Sequence, residues 1–114
     1  MNKLEEKYLA TVLEPRRLAG EVLDIKFEAH TLRMANRTGY TPDFFVTTCD
    51  GFEFHEVKGY WEDDARVKWK VAAEMFWGFR FFAATERKKK DGGGWEIEEY
   101  GARCDVQPSQ GRLA

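Results

Sequence analysis

The chain begins with an apolar pattern at helical spacing. Its apolar residues recur every three to four positions, at Leu4, Tyr8, Leu9, Val12 and Leu13. Asn2 is a good helix cap, and Gly20 stands where a helix would stop. The pattern therefore predicts a helix over about residues 2–19, with Pro15 as its weak point.

Two acidic residues in the first turn of this helix point in different directions. At about 100° per residue, Glu5 falls in the middle of the apolar arc and Glu6 falls on its edge. A carboxylate directed at a core is costly unless a group there needs it, which favours a functional role for Glu5. The alternative is that a glutamate at a helix start only stabilises the helix dipole.

From Val22 onward the spacing changes to alternation, which predicts a strand over about residues 22–30. The phase of the alternation then slips toward Leu32 and Met34, and this predicts a bulge near Thr31. The turn residues Asn36 to Gly39 follow.

The next segment reads as a hairpin. A second strand is predicted from Tyr40 to Thr48, Asp50-Gly51 is a strong turn signal, and a third strand is predicted from Phe52 to Gly59.

A second helix and a buried strand complete the predicted core. The helix is expected over about residues 63–76, capped by Asp63 or Asp64 and ended by Gly78. Residues 79–85 read as a buried strand, and a strand, helix, strand unit closes as a parallel crossover.

The last part of the chain adds an edge element. Residues 88–94 read as a loop, residues 95–103 as a final edge strand and residues 105–114 as a tail. The expected fold is α/β, with a core of helix, three-stranded meander, helix and strand plus a C-terminal edge strand. We expect residues 1–104 to form a single domain.

Composition agrees with one domain in a reducing compartment. The 114 residues are 43% hydrophobic and 33% charged, a balance that suits one core without disulfides. Cys49 and Cys104 are far apart and fit neither a disulfide framework nor a zinc site. The charged start Met1 to Glu6 argues against a signal peptide, and no apolar run is long enough to span a membrane. The sequence therefore predicts a cytoplasmic protein.

The charge is unevenly distributed. The net charge is only -2, but residues 66–90 hold eight Lys/Arg and two Asp/Glu. Such a block attracts anions even on a slightly acidic protein. The run from Lys88 to Lys90 also fits an ordinary solvated turn.

The predicted hairpin gathers charged residues on one face. With Asp50-Gly51 as a two-residue turn, Asp43 faces Lys58, and Glu56 lies diagonally at roughly 7 Å. Three charged side chains are unfavourable beside the bulky apolar neighbours on this face. A bound Mg²⁺ ion would explain the two carboxylates. The alternatives are that Asp43 merely begins a strand after Pro42 and that Glu56 and Lys58 lie on a solvated edge.

These motifs resemble the PD-(D/E)XK nuclease superfamily. The pattern is Pro42-Asp43, twelve further residues and then Glu56-Val57-Lys58, after a helix with an inward glutamate. Asn2 to Glu5, Tyr40 to Phe44, His55 to Gly59 and Asp64 to Lys68 resemble more closely a group of small phage-encoded endonucleases similar to the phage Holliday-junction-resolving endonuclease I. The resemblance covers residues 2 to about 101 and implies the restriction-endonuclease-like core.

The resemblance also implies residue roles. Asp43 and Glu56 would be metal-binding carboxylates, the Val57 carbonyl would add a ligand, and Glu5 would contribute from the helix. Lys58 would lie near the attacking water or the scissile phosphate. The implied cofactor is Mg²⁺, with Mn²⁺ able to substitute, and the implied chemistry is metal-assisted phosphodiester hydrolysis.

The predicted DNA contacts come from the basic block. They are Arg66, Lys68, Lys70, Lys88, Lys89 and Lys90. Lys68 falls within the apolar arc of the second helix, where it either contacts a phosphate or lays its stem over the core. His55 points away from Glu56 and is interpreted as a packed or surface histidine, with a catalytic part as the alternative. The four tryptophans either stack on bases or pack in the core or a dimer interface.

The leading hypothesis is a Mg²⁺-dependent DNA endonuclease from a phage or prophage, acting on branched DNA such as Holliday junctions. It would work as a homodimer in the host cytoplasm, because symmetric cutting of a four-way junction needs two sites. The alternatives are a non-cleaving nucleic-acid-binding protein with the same fold and a phage structural or assembly protein.

Overall fold

A five-stranded mixed sheet forms the centre of the protein, and the computed structural model describes residues 1–100. The seven strands are β1 (Val22–Phe27), β2 (Leu32–Arg33), β3 (Gly39–Tyr40), β4 (Phe44–Thr48), β5 (Gly51–Lys58), β6 (Arg80–Glu86) and β7 (Trp95–Glu99). The large sheet has the order β1-β4-β5-β6-β7, and β2 and β3 form a separate antiparallel ribbon. The coarse prediction of an α/β fold is confirmed.

The predicted N-terminal helix is present but is built from three consecutive segments. These are α1 (Lys3–Tyr8), a π-helical turn (Leu9–Leu13) and α2 (Glu14–Leu18). Asn2 and Glu5 form a reciprocal capping box. Pro15 has no N–H to donate to a helical hydrogen bond. The π-helical turn is followed by α2, and Pro15 lies in the first turn of α2, where no donor is needed.

The first strand differs from its prediction. β1 ends at Phe27, and Glu28 follows with a left-handed φ of 48°. The irregularity in pairing lies between Val22 and Asp24 rather than near Thr31, so Leu23 is exposed. The predicted strand from Tyr40 to Thr48 is also wrong, because the chain divides into β3 and β4 between two different sheets.

The hairpin of β4 and β5 is present with a shifted register. Phe44 lies opposite His55 and Thr48 opposite Gly51, so the loop is Cys49-Asp50 and not Asp50-Gly51. The predicted register was wrong by two residues. Because side chains alternate with a period of two, this shift keeps every side chain on its predicted face.

The second helix, α3 (Asp63–Met75), connects β5 to β6, and these two strands are parallel as predicted. Its cap position is Glu62, without a side-chain cap bond, and not Asp63 or Asp64. The helix ends at Met75, before Gly78, and a 3-10 turn (Lys89–Asp91) lies in the predicted loop. β7 pairs antiparallel with β6.

Apolar side chains cover both faces of the central strands. One cluster joins α3 and the β2–β3 ribbon to Phe54 and Phe81. The other joins the N-terminal helix, through Tyr8 and Leu13, to Phe44 and Val57. All residues from Glu53 to Val57 are therefore buried, although the sequence of β5 alternates.

No helix within residues 1–100 is long and apolar enough to cross a membrane. The predicted end of the edge strand at residues 101–103, Cys104 and the predicted tail over 105–114 lie outside the described residues.

Candidate active site

Two buried carboxylates meet where β4 begins and β5 ends. The register that pairs Phe44 with His55 puts Asp43, one step earlier, opposite Glu56, and both acids are only 7% exposed. The backbone N–H of Val57 donates to Oδ2 of Asp43 at 2.8 Å. The predicted pairing of Asp43 with Lys58 is thus replaced by a direct pairing of the two acids.

The second carboxylate has a partner on each oxygen. The Tyr40 hydroxyl donates to Oε1 of Glu56 at 2.7 Å, and the Lys58 ammonium lies 3.4 Å from Oε2. Tyr40 comes from the β2–β3 ribbon and is itself buried. Glu56 is therefore oriented by Tyr40 from the ribbon and by Lys58 from its own strand β5.

Electrostatics make this pair costly when both acids are ionised. Burial and the neighbouring Glu56 charge raise the pKa of Asp43 to about 7, although the bond from Val57 opposes the shift. Burial likewise raises the pKa of Glu56, against the bonds from Tyr40 and Lys58. Two like charges in an apolar setting favour either a bound proton or a bound cation.

Glu5 approaches the pair from the N-terminal helix. It is half-buried, whereas Glu6 is exposed, as the helical angles predicted. Its charge and a side-chain hydrogen bond add to the rise in the pKa of Asp43. Its Oε1 also accepts the Asn2 N–H at 2.8 Å, so Glu5 caps the helix as well as facing Asp43.

The donor set suits a small, hard cation. Within residues 1–100, no group of three or more His, Cys, Asp or Glu side chains is close enough together to hold an ion alone. Mg²⁺ needs less than that, since it usually binds one or two carboxylates and completes its shell with water and substrate phosphate. Asp43 and Glu56 therefore fit Mg²⁺, and the roles of Glu5 and the Val57 carbonyl as ligands stay predictions.

The predicted DNA-contacting residues do not all lie together. Lys68 lines the same cleft as Glu56, Lys58 and Tyr40. Arg66 instead forms an ion pair with Glu98 and lies over the rings of two tryptophans, Trp61 and Trp69, at 5.5 and 5.3 Å.

The other basic residues are all exposed. Lys70 is two residues from Lys68 on α3 and therefore lies on a different side of the helix. Lys88, Lys89 and Lys90 follow β6 directly, and β6 ends beside Lys58. Only Lys68 joins the cleft itself.

A second buried polar network lies on the opposite face of β5. The ring of His55 joins the Tyr8 hydroxyl, 2.7 Å from Nδ1, to the carboxylate of Glu53, 2.8 Å from Nε2. Arg16 donates to both oxygens of Glu53 at 3.0 and 3.1 Å. His55 is thus packed, which was one of the alternatives for it. Trp69 is buried in the core and Trp77 is exposed.

Sequence reasoning missed Tyr40 and this network. Tyr40 was predicted as an ordinary strand residue, and nothing in its local spacing indicates that it faces Glu56. The only local signal for the network was that Glu53 and His55 share a face with Val57 in an otherwise apolar strand.

Comparison with known proteins yields no relative: no family model, no curated protein and no solved structure matches this chain.

On the hypothesis that Asp43 and Glu56 hold a catalytic Mg²⁺, Tyr40→Phe is expected to raise the Mg²⁺ concentration needed for half-maximal cleavage by about 10-fold or more, since outer-shell partners of metal ligands have effects of this size. The variant keeps the ring and removes only the hydroxyl that orients Glu56. Mg²⁺ titrations of cleavage rate measure the effect, with Tyr100→Phe as the control because the Tyr100 hydroxyl binds Glu74 of α3 and does not contact the two carboxylates. Identical Mg²⁺ curves for Tyr40→Phe and wild type would show that the hydroxyl does not position Glu56.

Proposed function

We propose that this protein is a Mg²⁺-dependent DNA endonuclease of the PD-(D/E)XK type. The observation that carries the proposal is the buried pair Asp43 and Glu56, facing each other across β4 and β5 with Lys58 beside Glu56. A structural role explains it poorly, because two buried carboxylates with raised pKa values destabilise a fold unless they bind something. Residues that break a local folding rule in this way are expected at functional sites.

The order of elements supports the same proposal. A helix precedes the meander of β1, β4 and β5, and α3 and β6 follow it. This is the order expected for a restriction-endonuclease-like core, with the β2–β3 ribbon as an insertion and β7 as the added edge. The acids and the lysine lie at the end of the meander, as the family motif requires.

In the proposed reaction, the chain positions the groups around a phosphodiester. Val57 and Tyr40 orient the two carboxylates that would hold the ion, so that they need little reorganisation. A bound Mg²⁺ supplies Lewis acidity toward the phosphoryl oxygen and lowers the pKa of a water. The Lys58 ammonium stabilises negative charge that develops on the phosphate, and Lys68 contacts a neighbouring phosphate across the cleft.

We further propose branched DNA as the substrate and a homodimer as the active form, because one chain offers one such site. The test is cleavage of duplex, nicked, flap and four-way DNA by purified protein with Mg²⁺. We expect faster cleavage of the four-way substrate, with paired symmetric nicks. Absence of cleavage of all four with either Mg²⁺ or Mn²⁺ would overturn the enzyme proposal, and isolated single nicks would overturn the dimer.

A further inference from the structure

We propose that Tyr60 is a stacking platform for an unpaired base of the DNA substrate, next to the candidate active site. The inference rests on the proposed function and adds the feature of the substrate that the site recognises. The side chain of Tyr60 is 77% exposed, which is unusual for a tyrosine so close to a buried site.

The position of Tyr60 follows from how the chain leaves β5. Lys58, the last residue of β5, pairs with Thr85 on the parallel strand β6. The indole N–H of Trp61, the residue after Tyr60, donates to the Thr85 hydroxyl at 2.9 Å. The segment from Lys58 to Trp61 therefore passes from the end of β5 to the end of β6. Trp61 is held there by this bond, and Tyr60, one residue earlier in the chain, is exposed.

The basic turn after β6 and the acids at the start of α3 would orient a bound DNA strand. Arg87 to Lys90 follow β6 and are exposed, in a turn ordered by the Arg87 N–H bond to the Gly94 carbonyl at 2.9 Å. Two acids flank these four basic residues in the chain: Glu86 forms an ion pair with Lys7, and Asp91 is exposed in the same turn. Glu62 to Asp64, which follow Tyr60 and Trp61 in the chain at the start of α3, are exposed acids. Phosphates attached to a base on Tyr60 are thus attracted toward the basic turn and repelled from the start of α3.

This arrangement favours an unpaired base over continuous duplex. A base inside a duplex has both faces covered by its neighbours, whereas an unpaired base offers a free face to an aromatic ring. Branched and flapped DNA contain such bases close to the strand that would be cut. An exposed tyrosine between the active-site lysine and a basic turn is suited to bind them.

The test is the affinity of wild type and three variants for a fluorescent single-stranded oligothymidylate and for a continuous duplex, measured by anisotropy in chelator so that no cleavage occurs. Tyr60→Ala should weaken single-strand binding about 5- to 100-fold, which is the usual effect of removing one base-stacking ring. Tyr60→Trp should restore it. Trp77→Ala is the matched control, because Trp77 is 75% exposed but precedes the first residue of β6, at the end of that strand opposite to Thr85.

Two results would overturn the inference: equal single-strand affinity of Tyr60→Ala and Trp77→Ala, or an equal loss of single-strand and duplex binding in Tyr60→Ala. Mg²⁺-dependent cleavage by wild type is measured in parallel. If wild type cleaves DNA but Tyr60→Ala binds single strands normally, the stacking inference fails and the nuclease proposal stands. If the Tyr60 effect appears but wild type never cleaves, the nuclease proposal fails instead.

Discussion

Asp43→Asn and Glu56→Gln are each expected to lower Mg²⁺-dependent cleavage by about 100-fold or more and, at the same time, to stabilise the metal-free protein at pH 8. The loss follows because each variant removes an anionic ligand of the proposed ion. The gain follows because each removes one of two buried like charges. A residue with only a structural role would not give this opposite pair of effects.

The gain in stability of Asp43→Asn over wild type should depend on pH. The pKa of Asp43 is raised to about 7 in the folded protein, against about 4 in an unfolded chain. Between these values the folded state keeps a proton that the unfolded state has lost, so wild-type stability falls as pH rises from about 4 to about 7. Asp43→Asn lacks this fall. Its stability relative to wild type should therefore increase by about 2–3 kcal/mol between pH 5 and pH 8.

Urea unfolding in chelator at pH 5 and pH 8 measures the gain, and single-turnover cleavage measures the loss. Asp24→Asn is the control, because Asp24 is an exposed acid on the neighbouring strand β1 and should change neither quantity. Cleavage by Asp43→Asn at the wild-type rate would remove this carboxylate from the mechanism. A stability gain that is equal at both pH values would contradict the electrostatic account.

Arg16→Met is expected to destabilise the protein by about 3 kcal/mol, because it leaves the Glu53 carboxylate buried without its main cation. Glu53 is 2% exposed, and Arg16 is the partner that binds both of its oxygens. His55 still donates to Glu53, and Arg80 lies 3.7 Å away, which keeps the cost from rising further. Thermal or urea unfolding at neutral pH measures the loss.

Two further variants make this result specific. Arg17→Met removes a pair with Glu14 from the exposed surface of the same helix and should change stability by less than about 0.5 kcal/mol. The double variant Arg16→Met with Glu53→Met should recover much of the loss, because no buried charge is then left alone. If Arg16→Met costs no more than Arg17→Met, the buried pair does not stabilise the fold.

The stability contribution of the network around Glu53 depends on pH in the opposite direction to that of Asp43. Burial alone would raise the pKa of Glu53, but the bonds from His55 and Arg16 lower it to about 2. Its contribution is therefore present above about pH 4.5 and is lost as pH falls toward 2. Burial lowers the pKa of His55, so the ring stays neutral, accepts from Tyr8 and donates to Glu53.

The two polar groups have complementary effects on β5. On one face, the chain from Tyr8 through His55 and Glu53 to Arg16 fastens the N-terminal helix to the strand. On the other face, Glu56 is held beside Asp43 at an electrostatic cost. The hydrogen-bonded network around Glu53 stabilises the strand. It therefore offsets part of the electrostatic cost of holding Glu56 beside Asp43.

Several features of this protein are local and could be read from the residues alone. The helix starting after Asn2, the hairpin of β4 and β5 and the parallel unit of β5, α3 and β6 all follow from spacing and turn residues. The gathering of Asp43, Glu56 and Lys58 on one face was also predictable. It survived a register error because that error was an even number of residues.

Tertiary structure decided everything that depends on residues far apart in the chain. Tyr40 reaches Glu56 over 16 positions because the β2–β3 ribbon folds onto α3, and Tyr8 reaches His55 over 47 positions because the N-terminal helix covers the other face. Periodicity reports which side of an element is apolar, but not what packs against it. The alternation of β5 therefore could not show that both of its faces are covered, which is the reason Glu56 is buried and its pKa is raised.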